Sequence, residues 1–378
     1  MKQLMEISRV NSAYIHPRDW FVGLQHYIIN NPRYSDLHKT FPFQPEAFSN
    51  VESAINFHLS VTWQCRFPYD NKIKDKIIAA IRDFQRENLN IPTFSRMSAA
   101  LKDESVAELN EHGYTELPLI SEKKICEIKD YLNDKTLVPS YITDADGRVP
   151  LTQARKTLNV GYYPVDDVLD CPHVINIASD PNTLAIIEQY LGATPTLINP
   201  TIWWSFADRK EAKDAQLFHI DNEDYRFCKL FIYLTDVDLQ SGPHVYMEKT
   251  HRSDFLKQQR EKGHLGPEEF DNWYLKILRK SDKDTFELLE TSPKYFVGQK
   301  GSQFLVDTSG IHKGELPTKF DRLVCQFTYG LLPKPLSKYS PRVVFLDKDC
   351  PITPRAFTQL PYSYVNRIFL QSSPVRTS

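Results

Sequence analysis

The sequence contains no run of roughly 18–20 consecutive apolar residues, the length a membrane-spanning helix needs; even the apolar run Phe227 to Leu234 is broken by Lys229. No transmembrane span is expected. The basic excess of a phosphate-tracking protein is missing too, with 46 Lys and Arg against 48 Asp and Glu, a net charge of −2, so nucleic acid is not an expected partner. The first nine residues, Met1 to Arg9, lack an apolar segment and meet Glu6 and Arg9 early, which argues against a secretory signal. Cys65, Cys126, Cys171, Cys228, Cys325 and Cys350 stand singly, without a CxxC pair. That excludes the spacing of a zinc ribbon or a disulfide framework and suits reduced thiols in the cytoplasm. Internal repeats and low-complexity tracts are likewise absent.

What is there is ordinary globular material: 378 residues, 41% hydrophobic and 25% charged, enough for a large core and two or three domains. Aromatics and prolines crowd Tyr14 to Pro68. The stretch Asn71 to Asn88 then carries Ile73, Ile77, Ile81 and Phe84 at helical spacing. Residues 1–102 therefore read as a mainly helical accessory region. The spacing predicts a helix from Asp103 to Glu111 stopped by Gly113, a first strand over Tyr114 to Ile120, and a helix capped by Ser121 with Ile125, Ile128 and Leu132 on one face. A further helix starts at Ser179-Asp180-Pro181 and closes at Gly192.

From Thr194 onward the pattern turns to short β-rich runs: Thr196 to Phe206, Ala215 to Asp221, Phe227 to Val237, His244 to Met247, Gln303 to Asp307 and Arg322 to Leu331. Such a series, with turn residues between, predicts a sandwich or barrel. The charged, partly helical stretch 255–300 interrupts it, with Phe270, Trp273, Tyr274, Ile277 and Leu278 as its apolar face. It reads either as a lid or as a helix packed outside the barrel. Residues 103–335 thus read as one domain with a β-rich core. Residues 336–378 form a C-terminal extension expected to pack on it, with frayed last residues.

The chemistry concentrates at His219-Ile220-Asp221. Residues two apart on a strand face the same side, so an imidazole and a carboxylate are presented together. Phe304 to Asp307 reads as a buried strand, and the turn after it offers a second histidine, His312. Two histidines and one carboxylate form the facial triad that leaves three positions open on non-haem Fe(II), suited to a chelating cosubstrate and dioxygen. Arg322, ten residues beyond His312, opens a strand where Leu323, Cys325, Phe327 and Tyr329 share one face. Its guanidinium could hold a carboxylate bidentately, the anchor that 2-oxoglutarate needs at its distal end.

With these residues, the chain from about His112 to Leu332 resembles the phytanoyl-CoA dioxygenase-like Fe(II)/2-oxoglutarate-dependent oxygenases. Glu111-His112-Gly113-Tyr114 looks like the family's opening strand, and Ala178-Ser179-Asp180-Pro181 with Leu191-Gly192 is similar to the helix before its core strands. Ser241-Gly242-Pro243-His244 and Lys249-Thr250-His251-Arg252 occupy the place of its N-G-P-L and P-G-S-H turns. The resemblance implies a double-stranded β-helix of the cupin or jelly-roll kind with flanking helices, a mainly β, α+β architecture. It also implies hydroxylation of an unactivated C–H bond with release of succinate and carbon dioxide, on a small-molecule, sugar or lipid-linked metabolite. Related halogenases have Gly or Ala at the position of Asp221, so the carboxylate favours oxygenation. Gly314 stands where several relatives have a cosubstrate-binding Ser, which directs attention to Tyr233 or Trp204 as another donor.

Lys229, inside an apolar strand, must reach water, a carboxylate or a substrate and is a candidate pocket residue. His251 reads as a turn histidine bonded to backbone, and His244 and His173 as isolated structural or surface residues. Residues 1–102 and the C-terminal extension are read as shaping either the substrate mouth or a homodimer interface. Two other functions fit part of the pattern: a non-catalytic cupin-like metal-binding or scaffolding module, and a zinc hydrolase. Neither has a use for Arg322.

Overall fold

The computed structural model describes residues 16–40, 50–66, 71–94, 99–139, 147–334, 342–344, 352–353 and 355–372. The apolar periodicity of the first hundred residues folds as helices over Pro17–Asn30, Val51–Arg66, Lys72–Glu87 and Ala99–His112. In Lys72–Glu87 the buried stripe is Ile77, Ile78, Ile81 and Phe84, whereas Ile73 is 37% exposed, so burial starts one turn into the helix. Ser121 precedes the helix Glu122–Leu132, which buries Ile125, Ile128 and Leu132. In Pro181–Leu191 the Asp180 carboxylate accepts from the N–H groups of Asn182 and Thr183 and satisfies two donors of the first turn.

Among the described residues, nine strands build the two sheets around the site, apart from a small parallel pair of Arg342–Val344 with Leu370–Ser372: β1 (Tyr114–Leu117), β2 (Val160–Tyr162), β3 (Thr196–Ser205), β4 (Cys228–Tyr233), β5 (His244–Met247), β6 (Pro293–Phe296), β7 (Gln303–Val306), β8 (His312–Gly314) and β9 (Arg322–Gly330). They form an antiparallel six-stranded sheet in the order β1-β7-β4-β9-β3-β2 and an antiparallel three-stranded sheet in the order β6-β5-β8. One face of the larger sheet presents Ile198, Ile202, Leu230, Ile232, Leu323, Cys325 and Phe327 to the helices, in one core with Trp20, Leu24, Ile81, Leu184 and Ile187. Its other face carries Thr201, Trp203 and Ser205, then Lys229, Phe231 and Tyr233, then Arg322, Val324 and Gln326, and these line a cavity. The period-two alternation thus divides each strand between an apolar core and a polar-edged pocket.

Three expectations are corrected. Ala215–Asp221 is not a continuous strand: a 3-10 turn over Asp214–Gln216 leads into single bridges from Phe218 to Lys280 and from His219 to His312. Ile277 and Leu278 are 46% and 73% exposed, because the helical run ends before them, at Lys276. The stretch 255–300 also closes with a strand, β6, whose partner β5 is remote in sequence. From this stretch Phe255, Leu256, Phe270, Trp273 and Tyr274 pack with Phe218, Val245, Met247 and Ile311 of the smaller sheet and its flanks. Among the C-terminal residues Tyr364, Val365, Ile368, Phe369 and Leu370 are buried. The Tyr364 hydroxyl accepts from Trp20 Nε1 at 2.8 Å and Gln85 Nε2 at 3.1 Å, which ties the C-terminal stretch to the first helices. Phe345, Leu346, Cys350 and residues 373–378 lie outside the described residues.

Candidate metal centre

Backbone pairing places the three candidate ligands. His219 and His312 exchange N–H···O bonds at 2.9 Å in both directions, and the Asp221 N–H donates to Thr308 at 2.9 Å. The two imidazoles are therefore neighbours on adjacent backbones, with ring centroids 4.2 Å apart. His219 Nδ1 lies 2.9 Å from Leu217 O, and His312 Nδ1 lies 2.9 Å from Gly310 O. Each Nδ1 thus carries the proton and each Nε2 keeps its lone pair for the centre. Asp221 stands between them, with Oδ1 3.7 Å from His219 Nε2 and Oδ2 3.4 Å from His312 Nε2. One ligand atom from each of the three lies within 4.8 Å of the others. All three residues are largely withdrawn from solvent.

The electrostatics keep both kinds of donor in ligating form. Burial, then the neighbouring His312, pushes the His219 imidazole down to about 3, so it is neutral at physiological pH. Burial alone would raise the Asp221 carboxyl. The Lys229 ammonium beside it overcomes that and holds it well below the usual carboxylate range. Lys229 Nζ sits 2.7 Å from Asp221 Oδ2.

The cluster opens into the cavity between the sheets, about 180 Å³, lined also by Thr201, Trp203, Phe231, Tyr233 and Gln326. Arg322 lines it too, only 4% exposed. Its Nη2 donates to Ser205 Oγ at 3.3 Å, while Nε and Nη1 are buried without a partner. Burial works against its charge, yet guanidinium keeps its proton in proteins. A Cβ built on Gly314 would lie 2.9 Å from Arg322 Nη2. Gly314 follows His312 by two residues on β8, so the guanidinium stands one same-face strand step, roughly 6–7 Å, from the His312 position. This is on the scale of a five-carbon diacid.

The remaining candidates divide. Tyr233 lines the cavity, but its hydroxyl donates to Phe296 O at 2.8 Å and accepts from the His244 N–H at 3.1 Å. Burial raises it to about 12. Trp204 is a correction: strand parity turns it to the helix side, where it stacks on Phe206 and its Nε1 donates to the Tyr163 hydroxyl at 3.1 Å. Trp203 takes the cavity side instead. His251 Nε2 lies 3.1 Å from Asn110 O, as a backbone-bonded turn histidine does, and His173 pairs with Glu127.

His244 is the residue sequence reasoning missed. It is buried, lines the cavity, and its ring centroid is 5.5 Å from that of His312, with Nε2 unpartnered. Only the non-local pairing of β5 with β8, which sets His244 opposite Gly314, brings it there. By contrast, Thr201 and Gln326 follow from strand parity once Trp203 and Arg322 are placed.

The donor set and the orphaned guanidinium fit a divalent metal with an anionic chelator. Two imidazole nitrogens and one carboxylate suit a borderline-hard ion such as iron, and a carboxylate would satisfy Arg322 Nε and Nη1. A larger, open groove of about 750 Å³ lies elsewhere, but its charged residues pair with one another, as in Lys249–Glu111, Arg252–Asp254 and Lys262–Glu290.

No protein-family model matches the chain, and no curated protein does. Solved structures with a similar backbone include HygX from Streptomyces hygroscopicus with nickel and 2-oxoglutarate bound, 15% identical over 66% of this chain and 91% of that one, with a TM-score of 0.40. EctD from S. alaskensis with bound Fe is 13% identical over 75% and 92%, with a TM-score of 0.44. The 2-oxoglutarate-dependent epimerase SnoN of nogalamycin biosynthesis is 14% identical over 61% and 83%, with a TM-score of 0.38.

Proposed function

We propose that this protein is an Fe(II)- and 2-oxoglutarate-dependent oxygenase of the phytanoyl-CoA dioxygenase-like kind, built on a double-stranded β-helix. The observation that carries the reading is one cavity holding both the His219, Asp221 and His312 cluster and the buried, half-unsatisfied guanidinium of Arg322. His219, Asp221 and His312 would hold the metal, and Arg322 would bind the distal carboxylate of 2-oxoglutarate. When bound, iron with 2-oxoglutarate and dioxygen supplies the oxidising power to remove hydrogen from an unactivated C–H bond, with succinate and carbon dioxide as by-products. The chain's own work is placement and exclusion. Leu217 O and Gly310 O orient the two imidazoles, and the paired sheets fix the distance from the cluster to Arg322. Trp203, Phe231 and Val324 give the cavity apolar walls that limit water. The proposed substrate is a small-molecule, sugar or lipid-linked metabolite, and the proposed outcome is hydroxylation.

A second reading has one observation in its favour. The Lys229 ammonium already compensates Asp221, as it would in a module that keeps the cluster as a metal-free brace. Anaerobic titration of metal-free protein with Fe(II) and 2-oxoglutarate separates the two. The oxygenase reading expects a weak visible charge-transfer band in wild type that His219→Ala loses. A folded wild type with no band and no bound iron hands the site to the module.

Within the oxygenase reading Gly314→Ala has a defined effect. The added Cβ crowds Arg322 Nη2 at 2.9 Å, and overpacking a closed site costs about 1 kcal/mol or more. Calorimetry should show 2-oxoglutarate binding several-fold more weakly, with metal affinity unchanged. Equal cosubstrate affinity in the variant counts against the placement of the anchor.

A further inference from the structure

Lys229 belongs to β4, with Cys228 and Leu230 on either side turned to the helix core and Lys229 itself turned to the cavity. Its ammonium reaches Asp221 Oδ2 at 2.7 Å, nearer than either imidazole nitrogen comes to the carboxylate. Both side chains are shielded, 12% and 16% exposed, so this is not a solvated surface pair of the kind that contributes almost nothing. A lysine stem laid across an otherwise apolar strand position needs a reason. Packing supplies none, since an aliphatic residue would fill the same space.

A carboxylate beside a divalent cation can bind through one oxygen or two. The two-histidine, one-carboxylate set leaves three positions open only if the carboxylate spends a single oxygen. A bidentate carboxylate would take one of the positions that a chelating keto acid and dioxygen require. We propose that Lys229 is a positioning residue that holds Asp221 Oδ2 off the metal, so that the carboxylate ligates through Oδ1 alone and the three remaining positions stay open. The inference rests on the metal reading above. Lysine suits the task better than arginine: a compact point charge engages one oxygen, whereas a guanidinium fork tends to take both. The Asp221 N–H bond to Thr308 O fixes the backbone, which leaves rotation of the carboxylate as the freedom the ammonium controls. Outer partners of this kind are known to tune metal sites strongly.

Cobalt(II) tests this without turnover, because its visible spectrum reports coordination number. Wild type, Lys229→Met and Lys229→Gln would be loaded with cobalt, compared by spectrum before cosubstrate is added, and then titrated with 2-oxoglutarate. Lys229→Met is expected to change the cobalt spectrum and to weaken 2-oxoglutarate at least tenfold while retaining cobalt. Lys229→Gln, whose amide N–H can still donate to Oδ2 but carries no charge, is expected to restore most of both. If Lys229→Met keeps the wild-type spectrum and affinity, or if Lys229→Gln behaves as Lys229→Met does, the ammonium acts as a bare charge at most and the proposal falls. Wild type that binds no cobalt overturns the metal reading itself, and His219→Ala serves as the metal-free control.

Discussion

Arg322→Met is expected to weaken 2-oxoglutarate binding by two orders of magnitude or more and, at the same time, to raise the melting temperature of the ligand-free protein. The first effect follows from charge. Truncating one member of a buried, hydrogen-bonded charge pair costs about 2–5 kcal/mol, and about 2.7 kcal/mol is already a hundredfold in affinity. The second follows from the same burial. In the ligand-free state Arg322 holds a desolvated charge with one long bond to Ser205 Oγ and two nitrogens unpartnered. Each unsatisfied buried donor carries a penalty of about 1–3 kcal/mol. Methionine matches the length of the stem and fills irregular space without a polar atom, so the variant is relieved of that penalty and should melt a few degrees higher. Calorimetry on cobalt-loaded protein measures the first effect and a thermal melt of metal-free protein the second. A variant that binds 2-oxoglutarate like wild type would show that the anchor lies elsewhere. One that melts lower would show that Arg322 serves the fold rather than the site.

That opposition between stability and binding explains why the site was partly legible in the sequence. A buried cation with two unpartnered nitrogens serves no structural purpose, so Arg322 at the start of an apolar strand points to the anionic ligand proposed above, as the HxD spacing and a second histidine point to the proposed metal. The local geometry differs from the expectation while the outcome agrees. His219 lies on an isolated bridge and Asp221 just beyond it, tied by its N–H to Thr308 O rather than set in a strand, yet residues two apart still turn the same way. Caps and stops were readable for a similar reason. Asp180, Pro181 and Gly192 act within a few residues of where they stand.

What depended on distant pairing was not legible. Trp203 and Trp204 are chemically identical neighbours, and only the register that sets Trp204 opposite Leu323 and Gly161 decides which ring meets the cavity. His244 acquires its place from β8, some seventy residues away in sequence. In the stretch 255–300 the apolar residues Ile277 and Leu278 read as part of a buried stripe, but the helix ends before them. From there the chain turns back to bridge Phe218 through Lys280. Periodicity gives the faces of an element, and it cannot say where another element interrupts it.

Asp224 gives a prediction of opposite sign to the usual acid behaviour of proteins. This carboxylate, 3% exposed, accepts the Leu331 and Leu332 N–H groups on Oδ2 at 2.7 Å each and the Tyr225 N–H on Oδ1 at 2.6 Å. It thereby fastens the end of β9 to the segment that follows Asp221. Gly330 makes room for it, since a Cβ there would fall 2.6 Å from Oδ2. Burial raises its pKa from 3.8 to about 6, outweighing the three amide bonds that favour the charged form. The folded state therefore holds a proton that the unfolded chain releases between about pH 4 and 6. Across that window the folded state binds more protons, so the contribution of Asp224 to stability is greatest below about pH 4, falls as pH rises, and is flat above about 6. The full change is about 3 kcal/mol at 1.36 kcal/mol per pH unit. Asp224→Asn keeps an oxygen for the Leu331 and Leu332 amides but cannot titrate. Denaturant midpoints of wild type and Asp224→Asn, measured side by side from about pH 4 to 7, should show the wild type losing ground steadily up to about pH 6 and none beyond. Parallel curves would mean that the carboxylate is ionised throughout, with the three amides prevailing over its burial.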